Sequence, residues 1–184
     1  MPARTSHELV QLLSDIEQRS VARLSSLPEL EKAQAHQYWE GVLFSLNEMH
    51  LVAPLDEVSE ILHYPADITR VPGTHPWVKG VANVRGSLLP IIDFQLFLGG
   101  EPVMTGRRCR VLVVKHQGIL SGLLVKEVMG MRHFSREKRV DYQPQGAGLL
   151  ERFVKTAFEY GEDSWPVFGM FALAESTEFQ MAAQ

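Results

Sequence analysis

The chain of 184 residues has a single cysteine, Cys109, so it has neither the pairs for an intrachain disulfide framework nor a CxxC metal site. No apolar run approaches the roughly 18–20 residues that span a bilayer. The opening MPARTSHELV lacks the apolar stretch of a signal peptide. A basic footprint is missing as well: 18 Lys and Arg stand against 22 Asp and Glu, a net charge of −4, which argues against a nucleic-acid partner. Seven histidines (His7, His36, His50, His63, His75, His116 and His133) form no HxH, no HExxH and no cluster with carboxylates at ligand spacing. GxSxG, the Walker A loop and GxGxxG after a strand are all absent. These gaps lead to the expectation of a soluble, cytoplasmic protein with no metal, no cofactor and no active site.

What is there is ample core material. Hydrophobic residues make up 45% and charged residues 22%, ordinary values for a globular domain or a double subdomain. Residues 5–27 carry Leu9, Leu12, Leu13 and Ile16 at helical spacing, with Thr5 and Glu8 as a capping box, and predict an amphipathic helix. Residues 29–40 are polar and fit a second helix or a linker. From Gly41 the period shortens to that of strands. Expected hairpins are 42–46 with 50–55, 80–84 with 88–94, 110–116 with 119–128, and 153–160 with 165–171, plus a strand over 58–64. Pro90 requires an edge, a bulge or a bend in its strand. QLFL before Gly99-Gly100 predicts a short glycine-capped helix, residues 135–148 a polar loop, and the C-terminus a short helical tail. Many short strands with no long helices between them predict an all-β fold of two small barrels, divided near residue 100.

One residue resists this plan. In WVKGVANVRGSLLPIIDF, residues 77–94, Arg85 stands amid Val, Ala, Leu and Ile, at the centre of what looks like core. It could be a catalytic or anion-binding arginine, half of a buried structural ion pair, or part of a partner-binding hairpin. A buried guanidinium needs a carboxylate, since desolvation otherwise costs several kcal/mol. Glu60, isolated between Val58 and Ile61, and Asp93 are the available partners. A Glu60–Arg85 pair would either staple the sheet or fix the register of a docking surface whose area comes from Val58, Ile61, Val81 and Val84. Two rival readings use other residues. A nucleic-acid-binding barrel would place Arg85 and Lys79 on phosphates and stack bases on Trp77 or Phe94. An enzyme would use Cys109, activated by Arg108 and Arg110, although no base accompanies it.

The run Val58-Ser59-Glu60-Ile61, then a proline-rich loop, then Lys79-Gly80-Val81-Ala82-Asn83-Val84-Arg85-Gly86 and Pro90-Ile91-Ile92-Asp93, resembles the signature of the CheW family of chemotaxis coupling proteins. RVLVVKHQGILSGLLVKEV resembles the family's second-half hairpin, so the likeness is close from about residue 39 to 128 and looser beyond. The leading helix, YWEGVLFSL and the late WPVF are similar to its PilI-type branch, adaptors of twitching-motility (type IV pilus) chemosensory systems. The resemblance implies two SH3-like five-stranded barrels over residues 41–180, preceded by a helical extension over 1–40. It implies a non-enzymatic adaptor that binds a methyl-accepting chemoreceptor's cytoplasmic tip and a CheA-type histidine kinase's regulatory domain, and is recruited to membrane receptor arrays. Val58, Glu60, Gly80, Asn83 and Arg85 would then lie where these partners dock. The chain departs from the family pattern at Lys126, where Asp is frequent, and at Gly169, where an acidic residue is common.

Overall fold

A computed structural model describes residues 37–143 and 148–183. The described residues from Glu40 onward form one compact unit. The helix expected over 5–27 and most of the polar segment 29–40 lie outside the described residues. Tyr38 to Glu40 already belong to the first strand.

The strands are β1 (Tyr38–Leu46), β2 (Met49–Pro54), β3 (Glu60–His63), β4 (Ile68–Thr69), β5 (Val78–Val84) and β6 (Ser87–Asp93). After the short helix α1 (Phe94–Phe97) come β7 (Arg110–His116), β8 (Ile119–Val125), β9 (Glu127–Ser135), β10 (Arg139–Asp141), β11 (Val154–Tyr160) and β12 (Asp163–Phe168). Two helices, α2 (Met170–Ala174) and α3 (Thr177–Ala183), follow. Turn chemistry sets the hairpins: in β7–β8 the turn residues Gln117 and Gly118 both take positive φ, the requirement of a tight two-residue hairpin turn. Gly99, at φ 87, ends α1 as expected of a glycine there.

Among the described residues, the strands form two curled sheets, ordered β10-β11-β12-β2-β1-β9 and β3-β7-β8-β6-β5-β4. This is the mostly-β, two-sheet architecture expected; each sheet counts six strands because the short pieces β10 and β4 join it. Both sheets follow one plan. Two antiparallel hairpins lie side by side, and the second strands of each run parallel: β12 beside β2, and β8 beside β6. A division at residue 100 does not separate the sheets. Strands β3 to β8 form one sheet as an unbroken run, inserted between β2 and β9 of the other. The reason is the parallel pairs, which join strands far apart in sequence and which local periodicity does not report.

One core lies between the sheets, with Val42, Phe44, Leu51, Ala53 and Phe168 of one sheet meeting Ile92, Leu112 and Leu123 of the other and Phe94 of α1. A second fills the curl of the β3–β8 sheet, with Ala82, Leu89, Ile91, Val103, Cys109 and Val111. Gly122 makes that curl possible, since a Cβ there would fall 2.6 Å from Val111 Cγ1. Pro90 lies in an interior strand, not an edge. Its missing N–H is tolerated because the parallel ladder to β8 begins only at Ile91, opposite Gly122. The segment expected to be a polar loop, 135–148, contains β10 instead, paired to β11 from Arg139 to Asp141.

Candidate partner-docking site

The β5–β6 hairpin turns at Arg85 and Gly86, between the paired residues Val84 and Ser87. Arg85 has φ 52 and Gly86 φ 85, so both central residues are left-handed, as this turn type requires. The Asn83 side chain completes it, its Oδ1 accepting the Gly86 N–H at 2.9 Å. The turn lifts Arg85 out of the core: its side chain is 78% exposed. This corrects the sequence expectation of a buried guanidinium, and the desolvation argument no longer applies.

Arg85 Nη2 meets Glu60 Oε1 at 2.5 Å. Glu60 begins β3, anchored by Ser59 N–H donating to the Val113 carbonyl at 2.8 Å. β3 is one edge of its sheet and β5 lies beside the other edge, so the pair bridges the seam where the sheet curls on itself. With the arginine so exposed, the bridge contributes about 0–1 kcal/mol to stability. Its larger effect is orientational: it holds one face of an otherwise free guanidinium and leaves the remaining N–H groups outward. Asp93, the other carboxylate considered for Arg85, is at the far end of β6 and fully buried. It accepts the N–H groups of Leu96 and Val103 and sits 3.6 Å from Lys79 Nζ.

The apolar residues expected around the pair divide between inside and outside. Val58 packs on the inter-sheet core and Val84 on the core inside the curl, both half-buried. Ile61 is partly exposed and Val81 half-buried. Sequence reasoning missed Leu88, the most exposed apolar side chain of this hairpin at 71%. The signal was available: Leu89 and Ile91 face the core, so Leu88, one step out of phase, must face solvent. Gly80 has φ 136, and a Cβ on it would fall 2.3 Å from the Thr69 carbonyl oxygen. The backbone that closes on it is the chain's own β4.

The residues of the rival readings sit elsewhere. Phe94 is fully buried against Phe44 and Phe168, so no base can stack on it. Trp77 is covered by His75, whose ring stacks on it 4.4 Å away with the two planes nearly parallel. Cys109 is buried, its Sγ–H donating to the Met104 carbonyl at 3.1 Å.

Residues 40–178 match the family described as the CheW-like domain. The chain belongs to the CheW-like family. Among curated relatives it is 43% identical over 169 residues to Protein PilI of Pseudomonas aeruginosa, covering 92% of this chain and 93% of that one. It is 30% identical over 100 residues to Protein FrzA of Myxococcus xanthus, covering 54% of this chain and 62% of the relative. It is 30% identical over 101 residues to chemotaxis protein CheW of Helicobacter pylori, covering 55% and 59% respectively. Among solved structures, the scaffolding protein TtCheW from Thermoanaerobacter tengcongensis superposes with a TM-score of 0.65 at 22% identity, covering 76% of this chain and 94% of that one. That likeness shows the fold.

The two departures from the CheW pattern have structural counterparts. Lys126 Nζ donates to the Asn47 carbonyl at 3.0 Å and lies 3.7 Å from Glu48, tying the β1–β2 turn to the β8–β9 junction. A pocket of about 760 Å3 opens beside that turn, lined in part by Leu46, Met49, Gln95 and Leu98, and no residue expected at the docking surface lines it. At the other departure, Gly169 has no carboxylate to cap α2. Glu57 supplies one from a distant 3-10 turn, Oε2 accepting the N–H groups of Met170 at 2.6 Å and Phe171 at 3.1 Å. Burial of this carboxyl raises its pKa above 4.5, and the two N–H donors only partly offset it. Nothing in the sequence near Glu57 announces this partner. A second clamp holds α2 to β7: His116 stacks on Phe171 at 4.0 Å while its Nε2 meets Glu175 Oε1 at 2.7 Å. The segment that leads into Val58 and Glu60 is thereby fastened to the C-terminal helices.

Proposed function

We propose that this protein is a non-enzymatic adaptor coupling a methyl-accepting chemoreceptor to a CheA-type histidine kinase, in a chemosensory system that controls type IV pilus twitching motility. The PilI similarity across nearly the whole chain supports the pilus system. The observation that carries the docking reading is the exposed Arg85 guanidinium, raised on a tight turn and braced by Glu60. Val58, Ile61, Val81 and Val84 supply apolar area beside it, Asn83 shapes the turn, and Gly80 admits β4 behind it. A charged group held in place by a neighbour binds with less loss of side-chain entropy than a free one. In this reading the chain works in the cytoplasm, recruited to receptor arrays. Residues 41–180 act as the docking body, with residues 1–40 as an extension.

The test is binding of the purified protein to the kinase regulatory domain and to a soluble receptor tip from the same organism, by calorimetry. Arg85→Ala should weaken at least one of the two by tenfold or more, about 1.4 kcal/mol, with an unchanged far-UV spectrum. In a double-mutant cycle, Glu60→Ala and Arg85→Ala should be less than additive. Failure of the wild-type protein to bind either partner would refute the adaptor reading. Unaltered binding by Arg85→Ala would move the docking surface elsewhere.

A further inference from the structure

At the opposite end of β6 from the Arg85 turn, about 20 Å along seven residues of strand, the loop 101–109 has an unusual build. Its tip is EPVMTGRR, exposed but for Val103, and Met104 is 91% exposed. Yet its backbone is pinned along its length. Gln95 Nε2 donates to the Glu101 carbonyl at 2.6 Å, and Asp93 accepts the Val103 N–H at 3.1 Å. The Cys109 Sγ–H donates to the Met104 carbonyl, and Cys109 N–H to that of Gly106. Arg110 Nη1 donates to the carbonyls of Arg107 and Cys109, both at 2.8 Å. Val103 and Cys109 serve as buried anchors. A loop tied so densely holds its outward side chains in fixed places, and those side chains are Met104, Arg107 and Arg108.

The charge around it is one-sided. Residues 101–110 contain three arginines against one glutamate. Arg70 directly follows β4, whose Ile68 and Thr69 pair Ala82 and Val81, so the chain there runs towards the Val78 end of β5, the end at which β6 reaches Asp93. His63 is directly opposite Arg110 across the β3–β7 pair. The acidic groups on the neighbouring elements are Asp67, Glu101 and the buried Asp93, which is engaged with Lys79. Among the described residues, Arg70, Arg107, Arg108 and Arg110 enter no ion pair. That is notable in a chain of net charge −4, which leaves −8 outside these four arginines.

We propose that loop 101–109, with Arg70, is a second docking surface, built for an acidic segment of a partner protein that offers an apolar socket to Met104. Unpaired arginines supply bidentate recognition of carboxylates, and methionine is an adaptable apolar plug. The pinned backbone limits the entropy lost on binding. The partner is a protein and not a bilayer or nucleic acid, because an extended anionic surface would repel the strongly acidic remainder of the chain.

The experiment uses the full-length protein and a fluorescein-labelled peptide of alternating glutamate and leucine pairs, read by anisotropy against salt. Phosphatidylglycerol vesicles and a single-stranded oligonucleotide are the comparison probes. Binding to the peptide should weaken with salt and fall by about tenfold or more in Arg107→Glu with Arg108→Glu. Met104→Ser should lower it several-fold. These substitutions spare every pin, since Met104 and Arg107 are held through their backbone carbonyls, so thermal midpoints should match wild type. Peptide binding indifferent to the charge reversal would overturn the proposal. So would vesicles or the oligonucleotide binding through these arginines while the peptide does not.

Discussion

Gly80→Ala separates two ways in which the glycine of the K-G-V-x-N-x-R-G run can matter. The added Cβ would fall 2.3 Å from the Thr69 carbonyl oxygen and 2.8 Å from Ile68 Cγ2. Real Cβ contacts essentially never fall below 3.0 Å, so the β4–β5 spacing must open by about 0.7 Å. The residue must also hold φ 136, where an L side chain is strained by about 1–3 kcal/mol. Opening that spacing threatens the Ile68–Ala82 and Thr69–Val81 pairing, whose hydrogen bonds contribute about 0.5–1.5 kcal/mol each. Together the loss should be about 2–4 kcal/mol. With a urea slope of about 2 kcal/mol/M, the unfolding midpoint should drop by about 1–2 M. Ile68→Ala should not rescue it, because the nearest obstruction is backbone. The assay is urea denaturation followed by tryptophan fluorescence, paired with kinase-domain binding. A variant within about 0.5 kcal/mol of wild type that nevertheless lost its partner would refute the reasoning and make Gly80 a direct contact.

Asp93→Ala should orphan the N–H groups of Leu96 and Val103, at about 1–3 kcal/mol each. Limited trypsin digestion should then cut at Arg107 and Arg108 faster than in wild type. Glu57 binds protons more tightly folded than unfolded, so its contribution to stability grows as pH falls through its raised pKa and levels off below about 4.5. Thermal midpoints from pH 7 to pH 4 should therefore show wild type gaining on Glu57→Gln as acid is added; a parallel pair of curves would remove burial as the cause. Lys126→Asp should loosen the β1–β2 turn by about 1 kcal/mol or less, its lost contacts being exposed, as read by amide exchange at Asn47 and Glu48.

Hairpins were legible because each is local: alternation marks its arms and doublets such as Gln117-Gly118 mark its turn. Sheet membership was not, since β12 meets β2 through a single parallel register, Val167 opposite Val52, that leaves no trace in either strand's own pattern. The docking residues were legible as a motif and misjudged as an environment. Flanking valines and leucines made Arg85 look internal, while Gly86 directly after it carried the evidence of a left-handed turn pointing outward. Glu57 was invisible for a plainer reason. It is bonded to Met170 and Phe171 from 113 and 114 positions away, and a lone glutamate in an acidic stretch advertises nothing.

The insertion of one sheet inside the other sets an order on biosynthesis. Strands β3 to β8 are finished by Val125 and can close as a unit on the ribosome. The β1–β2 hairpin, complete at Pro54, must wait for β12, which ends at Phe168. At translation rates of about 5–20 residues per second, that wait is on the order of 10 s. Throughout it the edge of β2 lacks its neighbour, and Phe44 and Leu51 lack the part of their cover that Phe168 supplies. A nascent chain in that interval presents an unpaired apolar hairpin, the kind of segment that holdase chaperones recognise and that pairs wrongly with its copy on a neighbouring ribosome. A circular permutant opened in the β8–β9 junction would make β9–β12 first and join them to β1–β2 at once, and should yield more soluble protein from a chaperone-depleted translation extract.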